Sequence, residues 1–154
     1  MMNRAYDVIS ALAGKTLATA ESCTGGGIGA ALTDVPGSSA VYKGGIISYC
    51  NEIKNALLNV DMQLLSTHGA VSAPVAQAMA LGARKALQTD IAVSVTGLAG
   101  PGGDEFGNPV GTVFLGYADE TVTLWEEHHF SGSREEIRSK AVNAALELIL
   151  KQKK

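Results

Sequence analysis

Charge of one sign is scarce in this chain. Twelve lysines and arginines stand against fifteen aspartates and glutamates in 154 residues, a formal net charge of −3. That balance excludes a general electrostatic field for gripping nucleic acid or an anionic membrane. Cysteine is scarce too. Cys23 and Cys50 form no CxxC pair and have no histidine or cysteine companions at zinc-like spacing. Of the three histidines, His68 precedes Gly69 near an expected helix end, while His128 and His129 alternate along an expected strand and so face opposite ways. No metal site is expected from them. No apolar run reaches the length of a membrane span, and the opening residues MMNRAYDVISALAGK carry Arg4 and Asp7 and lack a signal-peptide core. The expected location is the cytoplasm, where a structural disulfide between Cys23 and Cys50 is not expected. With 46% hydrophobic and 18% charged residues, the composition is that of a soluble globular chain. Its length implies a single domain over residues 1–154.

Glycine, by contrast, is abundant, with 18 residues gathered at 25–29, 44–45 and 97–103. The stretch 16–27, TLATAESCTGGG, alternates like a strand and then breaks into three glycines. The apolar segment 28–32 that follows reads as a helix. A glycine-rich strand-to-helix turn lets backbone N–H groups approach an anion, and the helix N-terminus adds positive potential. Thr19, Glu21, Ser22, Cys23 and Thr24 crowd this corner. A second corner has the same character: the β-branched run 91–95 leads into Thr96-Gly97-Leu98-Ala99-Gly100-Pro101-Gly102-Gly103. In open α/β sheets, ligands gather outside the carboxyl ends of the strands. Two strands ending in such loops predict one shared pocket.

Helix and strand signals alternate along the chain. Ala5, Val8, Ile9 and Leu12 form a helical stripe ended by Gly14, and Pro36-Gly37-Ser38-Ser39 is a turn before a strand predicted at 41–50. Asn51 is the expected cap of a short helix bearing Ile53, Leu57 and Leu58. Ser72 and Pro74 open a longer helix. Segments 110–118 and 121–130 read as a hairpin across Asp119-Glu120, and Ser133 with Glu136 makes a capping box for the last helix. The predicted fold is a three-layer α/β/α sandwich around a mixed, mainly parallel sheet with a late β-hairpin.

Several chemistries are open to these residues. No lysine follows the first glycine turn, which argues against a P-loop. Gly25-x-Gly27-x-x-Ala30, with Glu52 further on, fits the dinucleotide pattern GxGxxG/A. A third arrangement joins Ser39, Tyr49 and Lys54. A lysine in the first turn of a helix feels the positive dipole end, which favours the neutral amine. Such an amine, or a tyrosine beside it, takes a proton from a serine. Ser39 is the nucleophile expected here, and Ser22 is its rival.

Five motifs also carry a resemblance. They are Ala20-Glu21-Ser22-Cys23-Thr24-Gly25-Gly26, Pro36-Gly37-Ser38-Ser39, Ile47-Ser48-Tyr49-Cys50-Asn51-Glu52-x-Lys54, His68-Gly69-Ala70-Val71-Ser72 and Thr96-Gly97-Leu98-Ala99-Gly100-Pro101. In this order they resemble the CinA C-terminal domain family, the nicotinamide-nucleotide amidases, in its stand-alone form. The resemblance spans about residues 5–150. It implies a cytoplasmic amidohydrolase that uses neither cofactor nor metal and converts nicotinamide mononucleotide to nicotinate mononucleotide and ammonia. The family's catalytic serine, tyrosine and lysine would fall on Ser39, Tyr49 and Lys54. The substrate's phosphate and the oxyanion would be shared between the Ser22, Thr24, Gly25 and Gly26 corner and the Thr96, Gly97, Gly100 and Gly102 loop, with Arg134 as a charged clamp. Two other classes stay open: a nucleotide-binding module without turnover, and a homo-oligomer assembled through the alanine-rich faces of residues 75–86 and 137–148.

Overall fold

The computed structural model describes residues 2–153, with side-chain environments from residue 4 onward. The chain runs α1 (Met2–Ala11), β1 (Leu17–Glu21), α2 (Gly27–Thr33), a 3-10 turn at Ser38–Ala40 and β2 (Tyr42–Ile47). Then follow α3 (Asn51–Leu58), α4 (Met62–His68), α5 (Ala73–Leu87), β3 (Ile91–Gly97), β4 (Thr112–Ala118), β5 (Thr123–His129) and α6 (Arg134–Gln152).

The five strands form one open sheet in the order β2-β1-β3-β4-β5. β1 is parallel to β2 and β3, whereas β3–β4 and β4–β5 are antiparallel. Helices α1, α2 and α6 pack together on one face, and α3, α4 and α5 on the other. This is the α/β/α sandwich that the alternating signals predict. It keeps the carboxyl ends of β1, β2 and β3 on one edge of the sheet.

The two faces are built differently. Toward α1, α2 and α6 the sheet presents Leu17, Val93, Val95, Leu115 and Tyr117. Toward α5 it presents small residues, among them Ala18, Ala20 and Ala92. Small side chains let α5 lie almost on the backbone of the sheet. Ser94 Oγ donates to the Ala76 carbonyl at 2.6 Å, and a Cβ at Gly116 would collide with that same carbonyl. The apolar face of α5, Val75, Ala76, Met79, Ala80 and Ala83, is wholly used here, and α6 likewise buries Ala141, Ala144, Ala145 and Leu148. Most of the two alanine-rich faces read from the sequence as candidate assembly surfaces is therefore core within this chain, with Ala86 left exposed.

Element ends differ from the reading in places. β2 stops at Ile47, so Tyr49 lies beyond the strand rather than in it. Asn51 is the first residue of α3, not its cap; the cap position is Cys50. Helix α4 separates from α3 because Asn59 takes a left-handed conformation, φ 57°, and Asp61 then caps a new start by accepting from Gln63 N. Ser72 forms no cap bond; its hydroxyl donates to the Gly69 carbonyl. The capping box at Ser133 and Glu136 is present in full.

Close approach at Gly82 yields a test. A Cβ there would meet the Leu58 carbonyl at the end of α3. Gly82→Ala gains about 1 kcal/mol of helix propensity but forces a backbone apart, an overpacking cost of about 1–3 kcal/mol. The melting temperature is expected to fall by a few degrees in a thermal scan. A rise would show that α3 yields freely and is not locked to α5.

Candidate active site

Alternation along β1 decides what meets what. Thr19 and Glu21 point toward α2, and Ser22, one residue on, points toward α3. Glu21 is 2% exposed, and its carboxylate accepts from Thr24 Oγ1 at 2.6 Å, Ile28 N at 2.9 Å and Gly29 N at 2.9 Å. These are the first free amides of α2, the groups a bound anion would otherwise claim. The chain fills its own anion site. Neither the dinucleotide pattern at Gly25 nor phosphate binding by Thr24, Gly25 and Gly26 survives this, and none of the three lines the cavity described below. Instead the turn is clamped: Arg138 Nε donates to the Cys23 carbonyl at 3.0 Å and Arg138 Nη2 to that of Thr24 at 3.1 Å.

Ser22 is held with equal firmness. Its N–H donates to the Val95 carbonyl at 3.0 Å, extending the β1–β3 pairing past the strand end. On the other side, Ser48 N donates to the Glu21 carbonyl at 2.8 Å, tying the β2–α3 connection to β1. Between these two fixed points comes Lys54, the fourth residue of α3 and only 1% exposed. Its Nζ donates to the Ser48 carbonyl at 2.7 Å and to Ser22 Oγ at 3.0 Å.

Burial lowers the Lys54 pKa below the ordinary lysine range, and the nearby thiols of Cys50 and Cys23 oppose that shift only in part. A neutral amine keeps its bond to Ser48 and turns its lone pair on the Ser22 hydroxyl. Cys23 is no rival nucleophile, because its burial pushes the thiol pKa up to about 11 and leaves it protonated at neutral pH.

These groups open onto a cavity of about 800 Å³, bounded by Ser22, Tyr49, Lys54, Thr96, Gly100 and Arg134 among others. Gly97 and Gly102 line it as well. Thr96 Oγ1 is committed to the Ala70 carbonyl at 2.9 Å, so it braces the wall. Arg134, exposed at the start of α6, donates through Nη2 to Tyr49 Oη at 3.0 Å and through Nη1 to the Gly100 carbonyl. Tyr49 therefore bonds to the arginine at the rim and has no hydrogen bond to Lys54 or Ser22.

Ser39 is elsewhere. It is exposed in the 3-10 turn that precedes β2, and its carbonyl accepts from Lys43 Nζ at 3.2 Å. Since β2 runs parallel to β1, the turn before it lies at the amino edge of the sheet, a strand length of roughly 16 Å from the carboxyl edge at about 3.3 Å per residue. The serine that meets Lys54 is Ser22. Strand direction was the available signal, since loops that follow parallel strands gather at one edge and loops that precede them at the other. Several wall residues were not anticipated, notably Leu65, Gly69, Val71, Asp104 and Phe106. Gly69 and Val71 fall in a motif read only for the family resemblance, and no motif marks the other three.

Elsewhere, Cys23 and Cys50 are free thiols. His128 and His129 bond to Glu126 and Glu127 respectively, and among the described residues no three His, Cys, Asp or Glu side chains could together hold a metal ion. No described helix is long and apolar enough to cross a membrane.

An open α/β sheet with a buried serine–lysine pair at its carboxyl edge defines the class. The CinA C-terminal domain family model matches residues 3–153, and the chain belongs to that family. It is 48% identical to a CinA-like protein of Mycolicibacterium gilvum over 144 residues, 92% of this chain and 34% of the relative. A CinA-like protein of Geobacter sp. is 52% identical over 125 residues, 81% of this chain and 30% of that protein. The chain thus spans about a third of the length of these curated relatives. Solved structures match throughout. The competence/damage-inducible protein CihA of Agrobacterium tumefaciens superposes with a TM-score of 0.95 at 39% identity, covering 99% of this chain and 95% of that one. A competence or damage-inducible protein of Enterobacter asburiae gives 0.96 at 31% identity, covering 99% and 98%.

The role of Glu21 is open to test. Glu21→Ala strips acceptors from a buried hydroxyl and two helix amides, and hydrogen bonds to a charged group contribute about 1.5–3 kcal/mol each. A loss of at least about 2 kcal/mol in denaturant unfolding is expected. Unchanged stability would mean that water replaces the carboxylate and that the α2 terminus is free to take an external anion.

Proposed function

We propose that this protein hydrolyses the carboxamide of nicotinamide mononucleotide to nicotinate mononucleotide and ammonia, with Ser22 as nucleophile and Lys54 as its proton acceptor. The observation that carries the reading is the 3.0 Å contact between Lys54 Nζ and Ser22 Oγ, made where the amine is almost fully removed from water. The family resemblance supplies the substrate. A cavity of about 800 Å³ is large enough for a mononucleotide.

Ser22 Oγ attacks the carboxamide carbon while its proton passes to the neutral Lys54 amine. The Ser48 carbonyl holds that amine in line and accepts from the ammonium that forms. The backbone N–H of Cys23, a cavity-lining residue in the turn fixed by Glu21 and Arg138, donates to the oxyanion. Lys54 then hands its proton to the amide nitrogen, the C–N bond breaks and ammonia leaves. Water attacks the acyl-serine ester, giving up one proton to Lys54, which returns it to Ser22 Oγ as the carboxylic acid departs and ionises, its proton passing to solvent or to the released ammonia. Arg134, at the rim beside Tyr49 and the 96–102 loop, takes the phosphate. Tyr49 orients that guanidinium through its hydroxyl and is not the base.

The test is ammonia release from the mononucleotide with EDTA present. Ser22→Ala and Lys54→Met are expected to lose about 10⁴-fold or more in kcat, with Lys54→Met still folded because methionine fills the same volume. Ser39→Ala should stay within twofold of the parent. A dead Ser39→Ala beside an active Ser22→Ala would overturn the assignment. Binding without turnover by the parent would leave a non-catalytic nucleotide-binding module. Turnover should also fall as pH drops through the lowered Lys54 pKa, because the amine protonates and can no longer act as base. In the window between that pKa and the ordinary lysine value, the unfolded chain binds the extra proton, so folding stability rises with pH. Lys54→Met should flatten that rise.

A further inference from the structure

The cavity holds an aromatic side chain that the catalytic steps leave unused. Phe106 lines it from the loop joining β3 to β4 and is 44% exposed. It is not a loose surface residue. Asp104 Oδ1 accepts from Phe106 N at 3.1 Å and from Asn108 N at 3.0 Å, while Asp104 Oδ2 accepts from Asn108 Nδ2 at 2.8 Å. Asn108 Nδ2 also donates to the Val71 carbonyl at 3.2 Å, which ties the loop to the turn before α5.

The ring is seated as well. It lies over Gly69, whose φ is +78°, and a Cβ there would come within 2.6 Å of Cδ2 and 2.8 Å of Cε2. Only glycine leaves room for the ring and also adopts that backbone conformation freely. Among the described residues, the two aromatic pairs are Phe114 with Trp125 and His128 with Phe130. Phe106 is in neither. A staple, a glycine seat and an unpartnered aromatic surface at a cavity wall are the parts of a stacking platform.

The surroundings favour one kind of ring. Glu105, exposed and also on the cavity wall, adds negative charge beside the aromatic surface, as does the Asp104 carboxylate. A planar cation gains from both, through the ring's quadrupole and through the carboxylates, whereas a neutral ring of the same shape gains only contact area.

We propose that Phe106, held by Asp104 and seated on Gly69, stacks on a cationic N-substituted pyridinium ring and, with Glu105, selects it over a neutral ring. This rests on the amidase reading for the identity of the ligand. It concerns specificity and binding, and the bond-breaking groups remain Ser22 and Lys54.

The experiment measures kcat and KM for nicotinamide mononucleotide in the parent, Phe106→Leu, Phe106→Trp and Glu105→Gln. In parallel, calorimetry on Ser22→Ala, with and without Phe106→Leu, compares the mononucleotide, whose pyridinium ring is cationic, with its 1,4-dihydropyridine form, whose ring is neutral. Phe106→Leu is expected to raise KM about tenfold, the size of one partly desolvated cation–π contact, with kcat within threefold. Phe106→Trp should restore KM, and Glu105→Gln should raise it less. The preference for the cationic over the dihydro form, expected at about tenfold or more, should collapse in Phe106→Leu. A structural role for Phe106 would weaken both ligands alike and leave that preference standing, which would overturn the proposal. Unchanged KM with normal turnover would overturn it while sparing the amidase reading. Absent turnover, with the calorimetric preference present and lost in Phe106→Leu, would support the platform and sink the amidase reading.

Discussion

An amine held out of water against a single hydroxyl is the constraint on which this molecule turns. Lys54 has a carbonyl and a serine for partners, and no carboxylate hydrogen-bonds its nitrogen. Burying an unpaired ammonium is costly, and a protein relieves that cost most simply by letting the group lose its proton. What would be a defect in a structural core lowers the Lys54 pKa, and in the proposed reaction that is the means of making a base. The fold keeps the arrangement from relaxing. Ser48 is pinned to the end of β1, Ser22 to the end of β3, and α3 to α5 by the contact at Gly82.

The same strand end separates two jobs by one step of the pleat. Glu21 turns one way and satisfies the start of α2; Ser22 turns the other way and meets Lys54. The glycine turn is therefore internally neutralised, and its helix terminus is not where an outside anion docks. In the proposed reading, charge for binding comes from the far side of the cavity mouth, where Arg134 at the start of α6 reaches Tyr49 and Gly100. In the proposed reaction the nucleophile sits on rigid sheet structure and the recognition groups on loops, the division expected where precise geometry and adaptable binding share a pocket.

Much of this was legible in the sequence, for identifiable reasons. Three glycines in a row at 25–27 serve few purposes other than a tight strand-to-helix turn, and the capping box at Ser133 is a local hydrogen-bond pattern with little freedom. The α/β/α layering follows from the alternation of periods. Lys54 was legible as a perturbed amine through its place in the first turn of α3, and burial is the cause that lowers its pKa. Its partner was not. Choosing Ser39 over Ser22 treated proximity in sequence to β2 as proximity in space, while chain direction puts the turn before a parallel strand at the wrong edge. The role of Glu21 was hidden because amides at a helix start accept an internal carboxylate as readily as a phosphate. Phe106 was hidden because its loop reads as a run of glycine and proline, and a long-range seat on Gly69 leaves no local trace.

Rapid-quench mass spectrometry of the protein during its first turnovers of nicotinamide mononucleotide tests the central claim most directly. The account expects a transient acyl adduct, equal to the substrate less ammonia, on the peptide carrying Ser22, appearing before free product and absent in Ser22→Ala. The same adduct on the peptide carrying Ser39, or on Cys23, would contradict it.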